Sequence, residues 1–152
     1  MFSFFRHPFH AYLDQITQGV TPTSDIMTRH LVQNLDKPLS LKELGVAKRM
    51  VRERMVVGLL DENIHESIQR VADYYGWKAM QGEPCILKYL ESISPDQFKE
   101  MMHDNSQQWD KFLEINKFDL QVYEFARSVF RGQKQTIISL DRQYALQESE
   151  EE

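Results

Sequence analysis

The first eight residues are the feature that most constrains the fold of this chain. Met1 to Phe5 have the pattern of a buried strand, and they run directly into Arg6, His7 and Pro8. Proline suits the first position of a helix because its missing N–H would have no partner there. Apolar residues then recur at roughly helical spacing as far as Val20. The start of the chain therefore predicts a strand and a helix packed on it, which is typical of an α/β protein.

Arg6 is the first candidate for a binding residue. Open α/β sheets bind ligands at the carboxyl ends of their strands, and the planar guanidinium group fits two phosphate oxygens at once. A helix N-terminus adds unpaired amides and a favourable dipole. The alternative is a surface arginine without a ligand, which is the commoner situation at a strand end.

Strand and helix patterns alternate through the first half of the chain. Residues 19 to 40 are rich in turn formers, and we interpret them as a connector that could bind substrate. Ser40 and Glu43 form a capping box that starts a helix. Residues 55 to 60 are a short apolar run with two valines, which predicts a buried strand. A further amphipathic helix follows and ends at Gly76.

The second half is predicted to be mainly helical. Residues 84 to 90 could form one more extended segment, and Ser94 and Pro95 have the pattern of a helix start. Asn116 is predicted to cap a final long helix that carries Asp119 in its first turn. Gly132 either ends or weakens that helix. We expect residues 145 to 152, which are polar and end in glutamates, to form a disordered acidic tail.

Charge and composition exclude several classes of protein. The net charge is −5, and four glutamates of the tail supply most of it, whereas residues 1 to 54 carry a surplus of three positive charges. The basic cluster at residues 48 to 54 either forms a solvated helix face or attracts an anionic substrate. The sequence lacks a basic stripe with interleaved aromatic residues, so nucleic acid is a poor candidate for a partner. His7 and His10 lack a third ligand for a metal, and the single Cys85 allows no internal disulfide.

Several short motifs, in order, resemble the carboxyl-terminal half of the Golgi-type carbohydrate sulfotransferases, the group that includes heparan sulfate 2-O-sulfotransferase. The motifs span residues 2 to 132 and are Phe4-Phe5-Arg6-His7-Pro8, Val57-Gly58-Leu59, Glu66-Ser67, Tyr75-Gly76-Trp77, and the late pattern of Asn116, Asp119, Tyr123, Ala126 and Phe130. The resemblance implies an α/β fold, namely the helix-rich carboxyl-terminal half of a P-loop-type sulfotransferase fold with a few parallel strands. Residues 1–144 would be the partial sulfotransferase domain.

The resemblance also implies a donor substrate and two residues that face it. The donor of the family is 3′-phosphoadenosine 5′-phosphosulfate, and Arg6 would bind its 3′-phosphate. Where the family has a second arginine and a serine, this chain has Ala11 and Asp14. Asp14 therefore occupies a donor-binding position, and its carboxylate would repel a phosphate there.

We expect this chain alone not to catalyse transfer. The glycine-rich loop that holds the phosphosulfate, its lysine and the general base would all precede residue 1 in such an enzyme. Two hypotheses follow: part of a sulfotransferase that modifies a carbohydrate hydroxyl, or a non-catalytic helical binding module derived from that fold. The family is anchored in the Golgi membrane by an N-terminal helix, and the printed sequence contains no apolar run long enough to be such an anchor.

Overall fold

The computed structural model describes the backbone of residues 1–75 and 106–150, and the side chains of residues 1–75 and 107–133. These residues form a helix-rich α/β structure, as the sequence predicts. In chain order the elements are β1 (Phe2–Phe5), α1 (Pro8–Thr17), α2 (Ile26–Val32), α3 (Leu41–Arg54), β2 (Val56–Leu59), α4 (Ile64–Tyr75), α5 (Ser106–Ile115) and α6 (Lys117–Glu150). None of the helices in this described part is both long and apolar enough to cross a membrane.

The two strands pair in parallel. Phe2 lies opposite Val56 and Phe5 lies opposite Leu59, with helices α1, α2 and α3 in the crossover between the strands. Because the strands run in the same direction, their carboxyl ends meet at one end of the sheet. The residues that follow β1 and those that follow β2 are therefore brought together, although more than fifty residues separate them in the chain.

Helices cover both faces of this narrow sheet. On one face, Phe5, Val57 and Leu59 belong to a core that also contains the buried stripes of α3 and α6, namely Leu44, Ala47, Val51, Val122, Tyr123, Ala126 and Phe130. On the other face, Gly58 lies against the Phe4 ring and against Ser67 of α4. Burial on both faces is what parallel strands require, and it explains why residues 56 to 59 contain no charged residue.

The local signals for α1 and α3 are confirmed. Pro8 occupies the first position of α1, and His7 is the N-cap, with its ring nitrogen accepting a hydrogen bond from the Phe9 N–H. At the start of α3, the Ser40 hydroxyl accepts from the Lys42 N–H, while the Glu43 carboxylate accepts from the Ser40 N–H. The capping box therefore forms between the residues that the sequence indicates.

Three expectations differ from the structure. Residues 19 to 40 contain the helix α2 in addition to turns, because the Asp119 carboxylate accepts hydrogen bonds from the Met27 and Thr28 N–H groups at the start of that helix. Asn116 precedes α6 as predicted, but its side-chain oxygen accepts from the Asp25 N–H instead of capping its own helix. The backbone of α6 continues past Gly132, so this glycine does not end the helix, since extending an existing helix adds one hydrogen bond per residue. The disordered tail expected at residues 145 to 152 stays a prediction.

Other expectations fall on residues that the structure leaves undescribed. They are the helix stop at Gly76, the extended segment at residues 84 to 90, and the helix start at Ser94 and Pro95. These stay predictions.

Candidate functional site

The carboxyl ends of the two strands carry a cluster of ionisable side chains. Arg6 and His7 follow β1, Asp61 follows β2, and His10 lies on the first turn of α1. Asp61 is buried, with its side chain 5% exposed, whereas the Arg6 side chain is 49% exposed. The cluster thus has a buried carboxylate at its base and a guanidinium group at the surface.

Arg6 is held by three neighbours. Its Nε lies 3.7 Å from Oδ1 of Asp61, its Nη1 donates to Oδ2 of Asp14 at 3.3 Å, and its Nη2 lies 3.1 Å from Nδ1 of His10. The pair with Asp14 is exposed on both sides and contributes little to stability, because water screens its charges. Together the three contacts orient the guanidinium plane at the end of the strand.

Asp14, the second predicted site residue, is therefore brought next to Arg6. Its side chain is 58% exposed and points toward the guanidinium group. The carboxylate occupies one of the two Nη positions with which an arginine binds a phosphate bidentately. A phosphate at Arg6 would have to displace it, and exposure of both side chains makes that displacement cheap.

The start of α1 does not offer the free amides that the sequence analysis expects. The N–H of His7 donates to Oδ2 of Asp61, the N–H of Phe9 donates to the His7 ring, and Pro8 has no N–H. The His10 N–H is bonded to the His7 carbonyl. The expectation is wrong because side chains of the protein already satisfy these donors, so any anion contact at this point depends on the Arg6 side chain.

Both histidines of the cluster are held in the neutral form. Burial lowers the pKa of His7 to about 4, and the nearby His10 and Arg127 act in the same direction. Burial also lowers the pKa of His10 to about 4, with a further contribution from Arg6. Burial raises the pKa of Asp61, against the effect of the hydrogen bond from His7. In the described part of the chain no group of three or more potential ligands is placed to hold a metal ion.

A second group of polar side chains lies beside the first. The Nε of Arg127, on α6, lies 2.9 Å from Oε1 of Glu62, and the Tyr123 hydroxyl donates to the same carboxylate oxygen at 3.4 Å. The Tyr123 ring also meets the His7 ring edge to face, with the two centroids 4.9 Å apart. Burial raises the pKa of Tyr123, and Glu62 and Asp61 raise it further, so its hydroxyl stays protonated at neutral pH.

A cavity of about 300 Å³ opens along β1 and reaches this cluster. Its walls are the edge of β1, the start of α1 and one side of α2, with Arg6 and His7 at one end and His30 among the α2 residues. Most of the lining is apolar, with a few polar groups, which is the usual composition of a small-molecule site. Arg6 is the one arginine or lysine on the lining that the structure describes.

Of the two regions predicted to contact substrate, the structure places one at the cavity. The segment 19 to 40 does border the cavity, through α2. The basic cluster does not: Lys48 and Arg52 lie over the Phe125 ring of α6, with the charged groups 5.8 Å and 5.0 Å from its centroid. Asp61 was not predicted, although its position two residues after a strand parallel to β1 is a signal for it.

No family model, no curated protein and no solved structure matches this chain. The geometry alone therefore indicates what the site can do. It presents one oriented guanidinium group beside a mainly apolar cavity, which suits a ligand with an anionic group and an apolar or aromatic body.

Proposed function

We propose that this chain forms the 3′-phosphate side of the donor site of a carbohydrate sulfotransferase. The donor would be 3′-phosphoadenosine 5′-phosphosulfate, and the acceptor a carbohydrate hydroxyl. In such a transfer the sulfuryl group leaves the 5′-phosphate oxygen for the acceptor oxygen, and the acceptor proton passes to a base. We assign neither the base nor the phosphosulfate loop to a residue of this chain.

One observation carries this proposal: Arg6 lies at the carboxyl end of a parallel strand and lines a cavity of about 300 Å³. A phosphate could bind the guanidinium group while the nucleoside occupies the apolar part of the cavity. Asp61 supports this role, since its buried carboxylate lies near Nε and orients the guanidinium group, whose Nη groups contact Asp14 and His10. The order of the motifs supports the assignment to that family. A location in the Golgi, where the family is found, is part of the same proposal.

Calorimetry with adenosine 3′,5′-bisphosphate tests the proposal directly. We expect Arg6→Ala to weaken binding about 10- to 100-fold, the value of a charge-assisted hydrogen bond. Arg49→Ala, which removes an exposed arginine of α3, is the matched control and should bind like the wild type. Adenosine 5′-monophosphate, which has no 3′-phosphate, should bind weakly to all three proteins. Equal binding of the bisphosphate to wild type and Arg6→Ala would overturn the proposal.

Asp14→Ser gives a second and opposite test of the same site. The variant removes the carboxylate that now lies 3.3 Å from Nη1 of Arg6 and restores a hydroxyl of the kind the family has there. We expect the bisphosphate to bind several-fold more tightly, with the largest gain at low salt, because screening reduces the repulsion. Weaker binding by Asp14→Ser would remove Asp14 from the site.

A non-catalytic binding module is the second candidate function. The observation that favours it is the outer edge of β1, which has no neighbouring strand among the described residues and has exposed aromatic side chains beside it, since such surfaces mark interaction sites. If the bisphosphate does not bind at all, this candidate becomes the better explanation of the fold.

A further inference from the structure

The outer edges of β1 and β2 differ in whether side chains satisfy their outward backbone N–H and C=O groups. Along the outer edge of β2, the Gln133 side chain accepts from the Val57 N–H at 2.9 Å and donates to the Met55 carbonyl at 2.7 Å. The Ser67 hydroxyl accepts from the Leu59 N–H at 2.8 Å. Side chains of α6 and α4 therefore take the place of a neighbouring strand, and no further strand can pair with β2 without displacing them.

The outer edge of β1 has no such closure among the described residues. The Val56 N–H donates to the Met1 carbonyl and the Leu60 N–H donates to the Phe5 carbonyl, so the odd-numbered residues of β1 face β2. The backbone groups of Phe2 and Phe4 consequently point away from the sheet. The cavity described above lies along this edge, and Ser3, Phe4 and Phe5 line it.

Exposed aromatic side chains adjoin this open edge. Phe4 is 45% exposed, and Tyr74 and Tyr75 at the end of α4 are 55% and 53% exposed. The Phe2 ring contacts both tyrosines, with centroid separations of 5.1 Å and 5.6 Å. Residues 2 to 5 include neither a charged residue nor a proline, which are the usual protections of an exposed strand edge.

We propose that the outer edge of β1 binds the same edge of a second copy of this chain in antiparallel orientation. With the two-fold axis between the two Ser3 residues, Phe2 of each copy lies opposite Phe4 of the other. Each such pair exchanges two backbone hydrogen bonds, so all the outward N–H and C=O groups of Phe2 and Phe4 are satisfied at once. The edge is thus complementary to itself, which an isologous dimer requires.

The side chains and charges fit this arrangement. Ser3 is small, so two copies can approach closely at the axis, where the Cα atoms of such a pair are about 4.5 Å apart. On the face of the sheet away from Ser3, the Phe2 side chain of each copy would lie against the Phe4 side chain of the other. Such aromatic pairs across strands stabilise a sheet. Because residues 2 to 5 are uncharged, no like charges are placed opposite each other.

The area available sets the strength of the dimer. Aromatic side chains bury about 150–250 Å² each when fully covered. Covering the exposed halves of Phe4, Tyr74 and Tyr75 therefore buries roughly 300 Å² per copy, below the roughly 800 Å² per partner of a standard interface. The dimer is consequently a weak one, and its population depends on protein concentration.

Sedimentation equilibrium over a wide concentration series tests the inference. The mass should rise from 18.0 kDa toward about twice that value as concentration increases. Phe4→Pro removes an outward N–H and leaves the bonds to β2 intact, so it should stay monomeric. Phe4→Val keeps the N–H and should still dimerise. If Phe4→Pro loses the circular dichroism of the folded chain, Phe4→Lys takes its place, since a charged edge should also abolish the dimer.

Crosslinking tests the register. Ser3→Cys, in a Cys85→Ser background, should form a disulfide-linked dimer under mild oxidation, because the two Cβ atoms face each other across the axis. Thr23→Cys, at an exposed position, should not. A wild type that stays monomeric at every concentration would overturn the inference and leave the edge to a strand of another protein. A Phe4→Pro variant that dimerises like the wild type, or a Ser3→Cys variant that crosslinks no faster than Thr23→Cys, would also overturn it.

Discussion

Asp25 and Asp119 each cap the helix that begins beside the other. The Asp25 carboxylate accepts from the N–H groups of Phe118 and Asp119 at the start of α6. The Asp119 carboxylate in turn accepts from the N–H groups of Met27 and Thr28 at the start of α2, and from the Thr28 hydroxyl. Both side chains are buried, and this exchange fixes α2 as one wall of the cavity.

Asp119→Ala should destabilise the protein by about 3 kcal/mol. The side chain is fully buried, and its removal leaves the N–H groups of Met27 and Thr28 without an acceptor, which adds a desolvation penalty to the loss of a helix cap. Urea unfolding measures the change. Asp110→Ala, the same substitution at an exposed position of α5, is the control and should stay within about 0.5 kcal/mol of wild type. Equal stability of the two variants would contradict the role of Asp119.

Gln133→Ala should cost about 1–3 kcal/mol, because it leaves the Val57 N–H of β2 and the carbonyl of Met55, the residue just before β2, unpaired. Gln121→Ala is the matched control on the same helix. The Gln121 side chain is exposed and donates to the carbonyl of Lys117, four residues earlier in the chain, at 3.2 Å, so its loss should be nearly neutral. Thermal and urea unfolding of both variants would show the difference. If Gln133→Ala were as stable as Gln121→Ala, the closure of the β2 edge would have no energetic value.

Gly58→Ala and Gly45→Ala should have opposite effects. A Cβ at Gly58 would lie 2.6 Å from Cδ1 of Phe4 and 3.2 Å from the Ser67 Cβ, so the Phe4 ring must move. Since that ring is partly exposed, we expect a loss of about 1 kcal/mol. A Cβ at Gly45, in α3, meets nothing within 4 Å, and alanine should stabilise the helix by about 0.5–1 kcal/mol.

The Phe4→Val background separates the two effects at position 58. Valine at position 4 removes the ring that the new methyl group meets, so Gly58→Ala should cost less there than in the wild type. A cost that is the same in both backgrounds would assign the strain to the backbone of β2 instead.

The free energy of unfolding should fall as the pH falls from about 6.5 to about 4. His7 and His10 have pKa values lowered to about 4 in the folded chain, while unfolded histidine titrates near 6.5. Within this window the unfolded chain binds more protons, so acid favours unfolding by up to about 1.4 kcal/mol per pH unit for each histidine. Asp61 and Asp119 oppose this trend, because burial raises the pKa of each and the folded chain takes up their protons more readily.

Comparison of variants isolates the histidine contribution. His10→Gln should reduce the slope of stability against pH over this window, with Arg6, Asp14 and Asp61 still surrounding the new side chain. His65→Gln, at an exposed position of α4, should leave the slope as in wild type. Urea unfolding at several pH values provides the measurement, and an unchanged slope in His10→Gln would contradict the prediction.

Local signals in the sequence were sufficient for most elements of the fold. Pro8 after an apolar run, the Ser40 and Glu43 pair, and the valine-rich run before Leu60 depend on neighbours within a few residues. Such signals act through backbone dihedrals, capping and side-chain periodicity, which need no partner from elsewhere in the chain. They also placed Arg6 at the end of a strand and Asp14 within the helix that follows it.

The sequence by itself determined that a strand ends at Arg6 and that helices and strands alternate afterwards. Only the tertiary structure decided what surrounds Arg6 and which edge of the sheet, within the part of the chain that the structure describes, has no neighbouring strand. Asp61 reaches Arg6 because β2 pairs in parallel with β1, and α2 exists because Asp119 supplies the cap that its own sequence lacks. Both depend on contacts between residues more than fifty positions apart, and no local pattern records such contacts.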